Sequence, residues 1–513
     1  MMKKFFKRIL QTLVAIVVIL VITAITTHRS LPTQTGRVDS SALTIQPDSL
    51  LVAHLLPQIQ SHPKMSGIYP LRAGKDAFLA RMALVESAQY ALDVQYYIWH
   101  NDISGNLLMQ ALYRAAGRGV RVRLLLDDNN TAGMDEALAA LNTHPNVEIR
   151  LFNPFMQRQF RPLGYLSDFF RLNRRMHNKS LTADGITTII GGRNIGDEYF
   201  EAGTGVMFAD LDILAVGQAA DDVEQDFDRY WASQSAYPLE KIIPQTSKPF
   251  DSQPAKDRQT QDYLQSLAQS SFAEALRMGN LPLEWVKTTL ISDDPAKGLG
   301  KVAIKDTVAA TIFPEMAKAE KTLVIVSPYF VPAKQGTDFF SRIAQTGKSL
   351  TILTNSLAAT DVAAVHAGYA KYRKDLLSAG AKLYELKPDA TVHTNQHGLL
   401  KGSLGASLHA KTFAVDDKTL FVGSFNMDPR SAALNTEMGF LIDSPNLATE
   451  LTQSIQNNIN PYAYQVLQDK KGNLYWQTQE QAQTLDYHNE PNSGWFKRLA
   501  VKVCSWLPIE WLL

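Results

Sequence analysis

Two copies of one short pattern stand out among the residues that could do chemistry. The pattern His-x-Lys-x-x-x-x-Asp occurs first as His177, Lys179 and Asp184 and again as His409, Lys411 and Asp416. Identical spacings then lead to a glycine and an asparagine in each copy, Gly191 with Asn194 and Gly423 with Asn426. One such match is weak evidence, but two in register in a chain with 11 histidines indicate a duplicated site.

The spacing has a physical meaning if each motif begins a β-strand. Side chains two residues apart on a strand point to the same face, so each histidine and its lysine would enter one pocket. The aspartates, Asp184 and Asp416, fall where a hairpin turn belongs, and we interpret them as members of the catalytic motif that give turn and hydrogen-bond support rather than chemistry. Asn194 and Asn426 close the second strand of each hairpin, where an amide can donate to a phosphoryl oxygen.

Two imidazoles and two ammonium groups that meet at one interface fit displacement at phosphorus. A neutral histidine attacks while a protonated histidine gives its proton to the leaving alcohol. The groups expected to hold the non-bridging oxygens are Lys179, Lys411, Asn194 and Asn426. This chemistry requires no metal ion or other cofactor. The attacking imidazole also needs an orienting carboxylate, and one candidate follows each motif, Asp210 after His177 and Glu437 after His409.

The elements that must position these residues follow an α/β pattern. In the first half, strand-like runs at 91–99 and 120–126 flank a helical run near 105–118, and similar runs recur at 323–326 and 349–353. The repeating unit is too long for a solenoid and occurs only twice. The sequence therefore predicts two similar α/β lobes, related by an approximate two-fold axis, that share one active site.

The ends of the chain predict contact with a membrane. Ile9 to Thr26 is an uncharged apolar run, about 27 Å long as a helix, and four basic residues precede it. This predicts a retained transmembrane anchor with its N-terminus in the cytoplasm and the body outside, in a periplasm-like space, with a cleaved signal peptide as the alternative. At the other end, residues 495–513 mix Trp, Lys and aliphatic side chains, which is typical either of an interfacial segment or of a strap packed on the body.

The resulting domain prediction has six parts. These are an anchor at 1–29, a tether at 30–68, lobe 1 at 69–240, a linker with a helical segment at 241–300, lobe 2 at 301–465, and a C-terminal membrane-associating or packing segment at 466–513.

Composition excludes several classes of protein. The 51 basic and 50 acidic residues nearly cancel, which disfavours a non-specific nucleic-acid binder. A single cysteine, Cys504, excludes an intramolecular disulfide and a cysteine-based metal cluster.

Arg174 and Arg175, beside the first motif, are candidates either for contacts with lipid phosphates or for a solvated basic turn.

The duplicated motifs and the segments around them resemble the phospholipase D superfamily over about Tyr69 to Pro461. Further segments resemble bacterial cardiolipin synthases, above all the C-type subgroup: 93–99, 125–129, 174–179, 327–332, 361–369 and 508–513. The resemblance implies a bilobed fold and a phosphohistidine intermediate formed without metal, with His177 as nucleophile and His409 as acid and base. It also implies transfer of a phosphatidyl group from phosphatidylethanolamine or phosphatidylglycerol to phosphatidylglycerol.

The leading hypothesis is thus a membrane phospholipid transferase that makes cardiolipin. A hydrolytic phospholipase D that releases phosphatidic acid is the alternative, since no residue visibly excludes water as the second nucleophile. A nucleic-acid phosphodiesterase and a non-catalytic lipid-binding scaffold rank lower. The expected partners are phospholipids and the bilayer, and the sequence leaves a need for a partner protein unknown.

Overall fold

The computed structural model describes residues 2–203, 206–277, 281–388, 407–480 and 483–513. Strands of the first half are β1 (Ser66–Leu71), β2 (Ala91–Ile98), β3 (Arg121–Asn130), β4 (Val147–Phe152), β5 (Ser180–Ala183), β6 (Thr187–Gly191), β7 (Phe208–Ala209), β8 (Asp212–Gly217), β9 (Ala236–Pro238) and β10 (Glu284–Val286). Those of the second half are β11 (Thr288–Ser292), β12 (Thr322–Val326), β13 (Ser349–Asn355), β14 (Lys382–Leu386), β15 (Ser407–Leu408), β16 (Lys411–Val415), β17 (Thr419–Gly423), β18 (Met438–Ile442), β19 (Ala463–Gln468), β20 (Leu474–Glu480) and β21 (Gln483–Tyr487).

Helices connect and cover these strands. They are α1 (Met2–Thr27), α2 (Leu50–Ser61), α3 (Gly74–Ser87), α4 (Ile103–Gly117), α5 (Asp135–Leu141), α6 (Gly164–Leu172), α7 (Asp197–Phe200), α8 (Gln218–Trp231), α9 (Arg258–Ala268), α10 (Ser271–Arg277), α11 (Val308–Ala317), α12 (Ala333–Gln345), α13 (Ala363–Ala370), α14 (Arg373–Ser378), α15 (Pro429–Ala433), α16 (Pro445–Asn458) and α17 (Trp495–Cys504). Short 3₁₀ turns lie at Arg161–Leu163, Leu239–Lys241, Pro295–Leu299, Ile304–Asp306 and Glu510–Leu512.

The two halves repeat one sheet topology, which confirms the predicted pair of similar α/β lobes. Lobe 1 has the strand order β10-β1-β8-β6-β5-β2-β3-β4-β9, and lobe 2 has β11-β18-β17-β16-β12-β13-β14-β19-β20-β21. In each sheet, the three strands that lie next to the motif hairpin run parallel to one another. They are β2, β3 and β4 in lobe 1 and β12, β13 and β14 in lobe 2. The motif hairpins β5-β6 and β16-β17 therefore occupy equivalent positions.

The two sheets pack against each other through a shared core. This core combines Ile190 and Ile213 of lobe 1 with Val324, Val422 and Phe440 of lobe 2. Separate apolar clusters lie between each sheet and its own helices, among them α3 and α4 for lobe 1 and α11 and α12 for lobe 2. Apolar burial on both faces of each sheet holds the lobes together and fixes the interface at which the two motifs meet.

The chain passes from one sheet to the other within a few residues. β10 pairs with β1 at the edge of the first sheet, and β11 pairs with β18 at the edge of the second. Only Lys287 separates β10 from β11. The predicted linker at 241–300 thus contains an edge strand of each sheet, and its helices α9 and α10 contribute Tyr263, Leu267 and Phe272 to the core of lobe 1.

Residues 30–68, which composition predicted to be a tether, instead lie against lobe 1. The carbonyl oxygens of Val38 and Ser40 accept hydrogen bonds from the buried guanidinium groups of Arg150 (2.9 Å) and Arg123 (2.9 Å). Farther along, α2 buries Val52 in the lobe 1 core. Polar composition hid the course of residues 30–49 because backbone carbonyls make these contacts with the arginines of lobe 1.

Lobe 2 also extends beyond its predicted boundary at residue 465. β20 and β21 add to the edge of the second sheet, so the sheet continues to Tyr487, and Trp476 is buried in its core. The segment that remains after the sheet carries α17. At the other end of the chain, Lys4–Thr27 of α1 is long and apolar enough to cross a membrane, and its apolar window is not buried in the body.

Candidate active site

Each motif enters its hairpin in the same way. β5 begins directly after Lys179, and β16 begins at Lys411. The ammonium group of each lysine folds back to donate to the backbone carbonyl of its own histidine, at 2.6 Å for Lys179 and His177. Both motifs therefore hold a histidine and a lysine side by side, as the two-residue spacing predicts.

Two short inter-lobe ladders bring the motifs together. In the first, the amide of His177 donates to the carbonyl of Thr436 (2.9 Å), and the amide of Thr436 donates to the carbonyl of Arg175 (2.9 Å). In the second, β15 pairs in parallel with β7, and the amide of His409 donates to the carbonyl of Ala209 (2.7 Å). Each histidine is thus fixed by backbone bonds beside a segment of the opposite lobe.

The inter-lobe ladders pair each histidine with a carboxylate of the opposite lobe, and not with the one that follows it in the sequence. Asp210 directly follows Ala209, and its Oδ2 lies 2.6 Å from Nδ1 of His409. Glu437 follows Thr436, and its Oε2 lies 2.8 Å from Nδ1 of His177. The sequence pairs each carboxylate with the histidine that precedes it, which is wrong. The inter-lobe ladders reverse the pairing, so neither lobe alone contains a histidine with its carboxylate.

The backbone determines the tautomer of His177. Its Nδ1 also lies 3.0 Å from the carbonyl oxygen of Ser424, an atom that can only accept a hydrogen bond. Nδ1 must therefore carry a proton, and in the neutral imidazole the lone pair resides on Nε2. The hydroxyl of Ser424 donates to Oε2 of Glu437 (2.5 Å), which fixes the orientation of that carboxylate.

Burial makes the site an unfavourable place for its positive charges. Burial, followed by the charge of Lys179, lowers the pKa of His177 well below its ordinary value. Burial also lowers the pKa of Lys179 well below its usual range and that of Lys411 to about 8. A phosphodiester anion between these groups would compensate their charge and raise each pKa, so the arrangement favours an anionic substrate.

The two histidine–carboxylate pairs differ electrostatically. Burial raises the pKa of Glu437 to about 7. For Asp210, burial also acts upward, but the charge and hydrogen bond of His409 lower its pKa to about 2. Burial and Lys411 lower the pKa of His409, and Asp210 opposes them. An ionised partner stabilises an imidazolium, so Asp210 favours the charged form of His409, whereas burial favours the neutral form of His177.

The aspartates of the motifs lie at the far end of their strands. Asp184 and Asp416 have left-handed backbone conformations, with φ of 49° and 51°, in the turns that end β5 and β16. The carboxylate of Asp184 accepts from the amides of Tyr90 (2.8 Å) and Ala91 (3.0 Å), and that of Asp416 accepts from equivalent amides of lobe 2. The structure therefore does not bring these two residues to the histidines.

The two asparagines have different surroundings. Oδ1 of Asn194 accepts from the amide of Ile98 (3.2 Å), and its Nδ2 donates to the hydroxyl of Tyr199 (3.0 Å), whose ring contacts His409. Asn426 is buried, and its Oδ1 has no hydrogen-bond partner within the described ranges. The unpartnered Oδ1 of Asn426 can only accept a hydrogen bond, so Nδ2 is the atom of this amide that could donate to a phosphoryl oxygen. Asn194 is linked to His409 through Tyr199.

Sequence reasoning missed the aromatic walls of the site. The ring of Tyr97 lies 4.9 Å from that of His177, and Phe208 lies 5.2 Å from His409, between ring centroids. Lys179 also lies over the ring of Tyr97, 5.3 Å from its centroid. No signal marks these residues, since aromatic residues in strand-like runs usually belong to a core.

The basic pair beside the first motif has a structural role. Arg175 is buried, and its guanidinium bonds to the carboxylate of Asp127 (2.7 Å), which also accepts from the amide of Met176 (2.8 Å). Arg174 donates to the carbonyl of Ala433 (3.1 Å) in the opposite lobe. For Arg175 the expected phosphate contact and the alternative of a solvated turn are both wrong, because the buried guanidinium is bound by Asp127 within β3.

Among the described residues, two groups of His, Asp and Glu atoms are close enough to hold a metal ion, and neither contains a motif histidine. The groups are His100 with Asp102 and Glu198, and His366 with Glu385 and Glu490. Asp102 already accepts backbone hydrogen bonds as the N-cap of α4, and Arg373 bonds to both glutamates of the second group. Structural hydrogen bonds and ion pairs therefore account for both groups.

Comparison with known proteins places this site in a family. A family model described as "Cardiolipin synthase, PLD-like domain" matches residues 82–231 and 312–459. Cardiolipin synthase C of Escherichia coli is 48% identical over 470 residues, which cover 90% of this chain and 99% of that protein. Cardiolipin synthase A of Pseudomonas entomophila is 23% identical, over 82% of this chain and 75% of that protein. The crystal structure of a phosphatidylserine synthase from Haemophilus influenzae shares the fold, with a TM-score of 0.57 and 17% identity over 89% of this chain and 99% of that chain.

Proposed function

The chain belongs to the family of cardiolipin synthases with phospholipase D-like domains, and we propose that it transfers a phosphatidyl group from a donor phospholipid to phosphatidylglycerol. The product is cardiolipin, and the donor is phosphatidylethanolamine or phosphatidylglycerol. The observation that carries the proposal is the inter-lobe pairing. Each Nδ1 is held by a carboxylate of the other lobe, which leaves Nε2 of both imidazoles for one phosphorus atom.

In the first step, Nε2 of His177 attacks the donor phosphorus. A P–N bond forms, the P–O bond to the head-group alcohol breaks, and His409 gives its proton to that oxygen. Support for this assignment is the difference between the pairs, because Asp210 favours a charged His409 while burial keeps His177 neutral.

In the second step, a free hydroxyl of phosphatidylglycerol loses its proton to His409 and attacks the same phosphorus. The P–N bond breaks, cardiolipin leaves, and both histidines return to their starting states. Lys179, Lys411 and Asn426 hold the non-bridging oxygens in both steps and favour the charge of the five-coordinate transition states. Asn194 contributes by positioning Tyr199 against His409.

The test supplies head-group-labelled phosphatidylethanolamine together with phosphatidylglycerol, in the presence of a chelator. Release of labelled ethanolamine with formation of cardiolipin identifies the first donor, and release of glycerol identifies the second. Accumulation of phosphatidic acid in place of cardiolipin would identify a hydrolase instead. His177→Ala and His409→Ala are each expected to abolish turnover, and a requirement for an added divalent metal would contradict the mechanism.

We further propose that the body lies on the periplasmic side of the bacterial inner membrane. The basic residues before the apolar part of α1 favour a cytoplasmic N-terminus, and a single span then puts the body outside. Protease added to spheroplasts is expected to digest the body while the inner membrane stays sealed. Protection of the body would reverse this orientation, and the mass of the mature chain distinguishes a retained helix from a cleaved one.

A further inference from the structure

Both lobes expose large apolar side chains on one helix each. On α6 of lobe 1 these are Leu166 and Phe170, and Phe170 is 77% exposed. On α17 of lobe 2 they are Trp495, Phe496, Leu499 and Val503, and the first two are 69% and 70% exposed. We call these six side chains the apolar rim. Large apolar side chains exposed together on one helix mark a site of interaction.

The α17 part of the rim is connected to the second catalytic motif. Val501, the buried residue of α17, packs with Leu357 and Ala367. Leu357 follows the end of β13, where the side chain of Asn355 bonds to both the amide (2.9 Å) and the carbonyl (3.0 Å) of Leu408. Since Leu408 precedes His409, α17 is held at the end of the strand that positions this histidine.

The α6 part has the equivalent place in lobe 1. The hydroxyl of Tyr165, on α6, donates to Oδ1 of Asn129 (3.0 Å) near the end of β3. Asp127 of the same strand accepts from the amide of Met176, the residue before His177. The two lobes therefore present α6 and α17 at the ends of the matching strands β3 and β13, and residues of these strands bond to the segments that carry His177 and His409.

Two further observations indicate what covers the rim. α1, the helix long enough to span a bilayer, packs against α6, and the carbonyl of Thr27 at its end accepts a hydrogen bond from Gln157. α17 carries Lys497, Arg498 and Lys502 among its aromatic residues. Aromatic and basic side chains on one helix are typical of segments that lie at the surface of an anionic membrane.

We propose that the apolar rim docks into the surface of an anionic bilayer and sets the entrance of the active site against the phospholipid head groups. The proposal rests on the proposed function and deepens it, since it identifies the surface through which two-chain lipids reach the histidines. α1 ties the body to the membrane, and the rim orients it. The acyl chains stay in the bilayer while only the head group and its phosphorus enter between the lobes.

The first experiment measures the depth of the rim in a membrane. Full-length protein with Cys504→Ser, which removes the chain's single cysteine, receives Leu499→Cys, Phe170→Cys or Lys418→Cys and a nitroxide label. Each variant is reconstituted in vesicles of phosphatidylethanolamine and phosphatidylglycerol. Lys418 is the matched control, since it is exposed in the β16–β17 turn at the strand ends opposite the histidines.

Labels at 499 and 170 are expected to be shielded from a water-soluble nickel chelate at least fivefold more than the label at 418. Equal nickel accessibility at all three positions would overturn the proposal. These labels report docking even if the wild-type protein makes no cardiolipin, so failure of the proposed function is seen separately.

A second experiment ties docking to turnover. The double variant Phe496→Glu with Leu499→Glu is expected to lower the ratio of the rate on bilayer lipids to the rate on short-chain monomeric lipids about tenfold. Lys418→Glu is the control and should leave this ratio at the wild-type value. An unchanged ratio in the double variant would refute the proposal, whatever its absolute rates.

Discussion

Replacing each orienting carboxylate by its amide should have very unequal effects, because the two carboxylates have different second partners. Oδ1 of Asp210 accepts from the amide of Leu211 (2.8 Å), while Oδ2 faces Nδ1 of His409. In Asp210→Asn the amide oxygen must remain opposite the Leu211 amide, which can only donate. The NH₂ group then faces His409 and donates to Nδ1, which forces the proton onto Nε2 and gives the wrong tautomer.

In Glu437→Gln, by contrast, the side-chain amide can adopt the orientation that keeps its oxygen toward His177. Oε1 of Glu437 has no hydrogen-bond partner within the part of the chain that the structure describes, and Oε2 serves both His177 and Ser424. In Glu437→Gln the NH₂ group can occupy the Oε1 position and the oxygen keeps both contacts. The carbonyl of Ser424 continues to hold the proton on Nδ1 of His177.

The magnitudes follow from this difference. A wrong tautomer in a hydrogen-bonded catalytic pair costs about 10⁴-fold in kcat, and we expect a loss of this order for Asp210→Asn. In Glu437→Gln a charge-assisted bond becomes a neutral one, which costs about 1.4 kcal/mol and hence about tenfold in kcat. KM should change little in both variants, since neither carboxylate contacts the lipid.

The assay is conversion of labelled phospholipid to cardiolipin in detergent micelles, with kcat and KM measured separately. Thermal unfolding of each variant serves as the control for folding. Equal losses of kcat in the two variants, or a larger loss for Glu437→Gln, would refute the tautomer argument.

Other substitutions test the remaining features of the site and the fold. KM should rise as the pH passes about 8, because Lys411 has a pKa of about 8 in the free enzyme and its charge binds the phosphodiester. Lys411→Arg should remove this rise, since the guanidinium stays charged. Asp184→Ala should lower the free energy of unfolding in urea by about 3 kcal/mol, since it leaves the buried amide of Ala91 and the half-buried amide of Tyr90 without an acceptor. Asp416→Ala, in a more exposed turn, should cost about 1 kcal/mol. Arg373→Met should cost about 3–5 kcal/mol by the same measurement, because it leaves the buried Glu385 without its cationic partner, and a loss below 1 kcal/mol would contradict a buried ion pair.

Local patterns predicted the elements that deliver the site. The apolar run at 91–99 corresponds to β2, the run at 120–126 to β3, and the helical run near 105–118 to α4. These segments were predictable because each buries apolar side chains against its own neighbours in one lobe. The duplicated spacing likewise reflects hairpins that are local in the sequence.

The exchange of carboxylates between lobes could not be predicted in this way. It depends on ladders between Met176 and Thr436 and between β7 and β15, which form only when the sheets dock. Sequence order links Asp210 to the histidine before it, and no local pattern carries the register of a contact between lobes. The course of residues 30–49 was hidden for a related reason, since buried arginines of lobe 1 hold it by its carbonyl oxygens.

The single residue between β10 and β11 has a mechanical consequence. Adjacent edge strands of the two sheets are joined through Lys287 alone, and the apolar core that the sheets share holds them together across their faces. Just beyond this crossing, Asp293 exchanges backbone and side-chain hydrogen bonds (both 2.9 Å) with Glu437 itself. We therefore expect the spacing between the imidazoles to be set when the protein folds, and the departing and incoming alcohols to exchange without separation of the lobes.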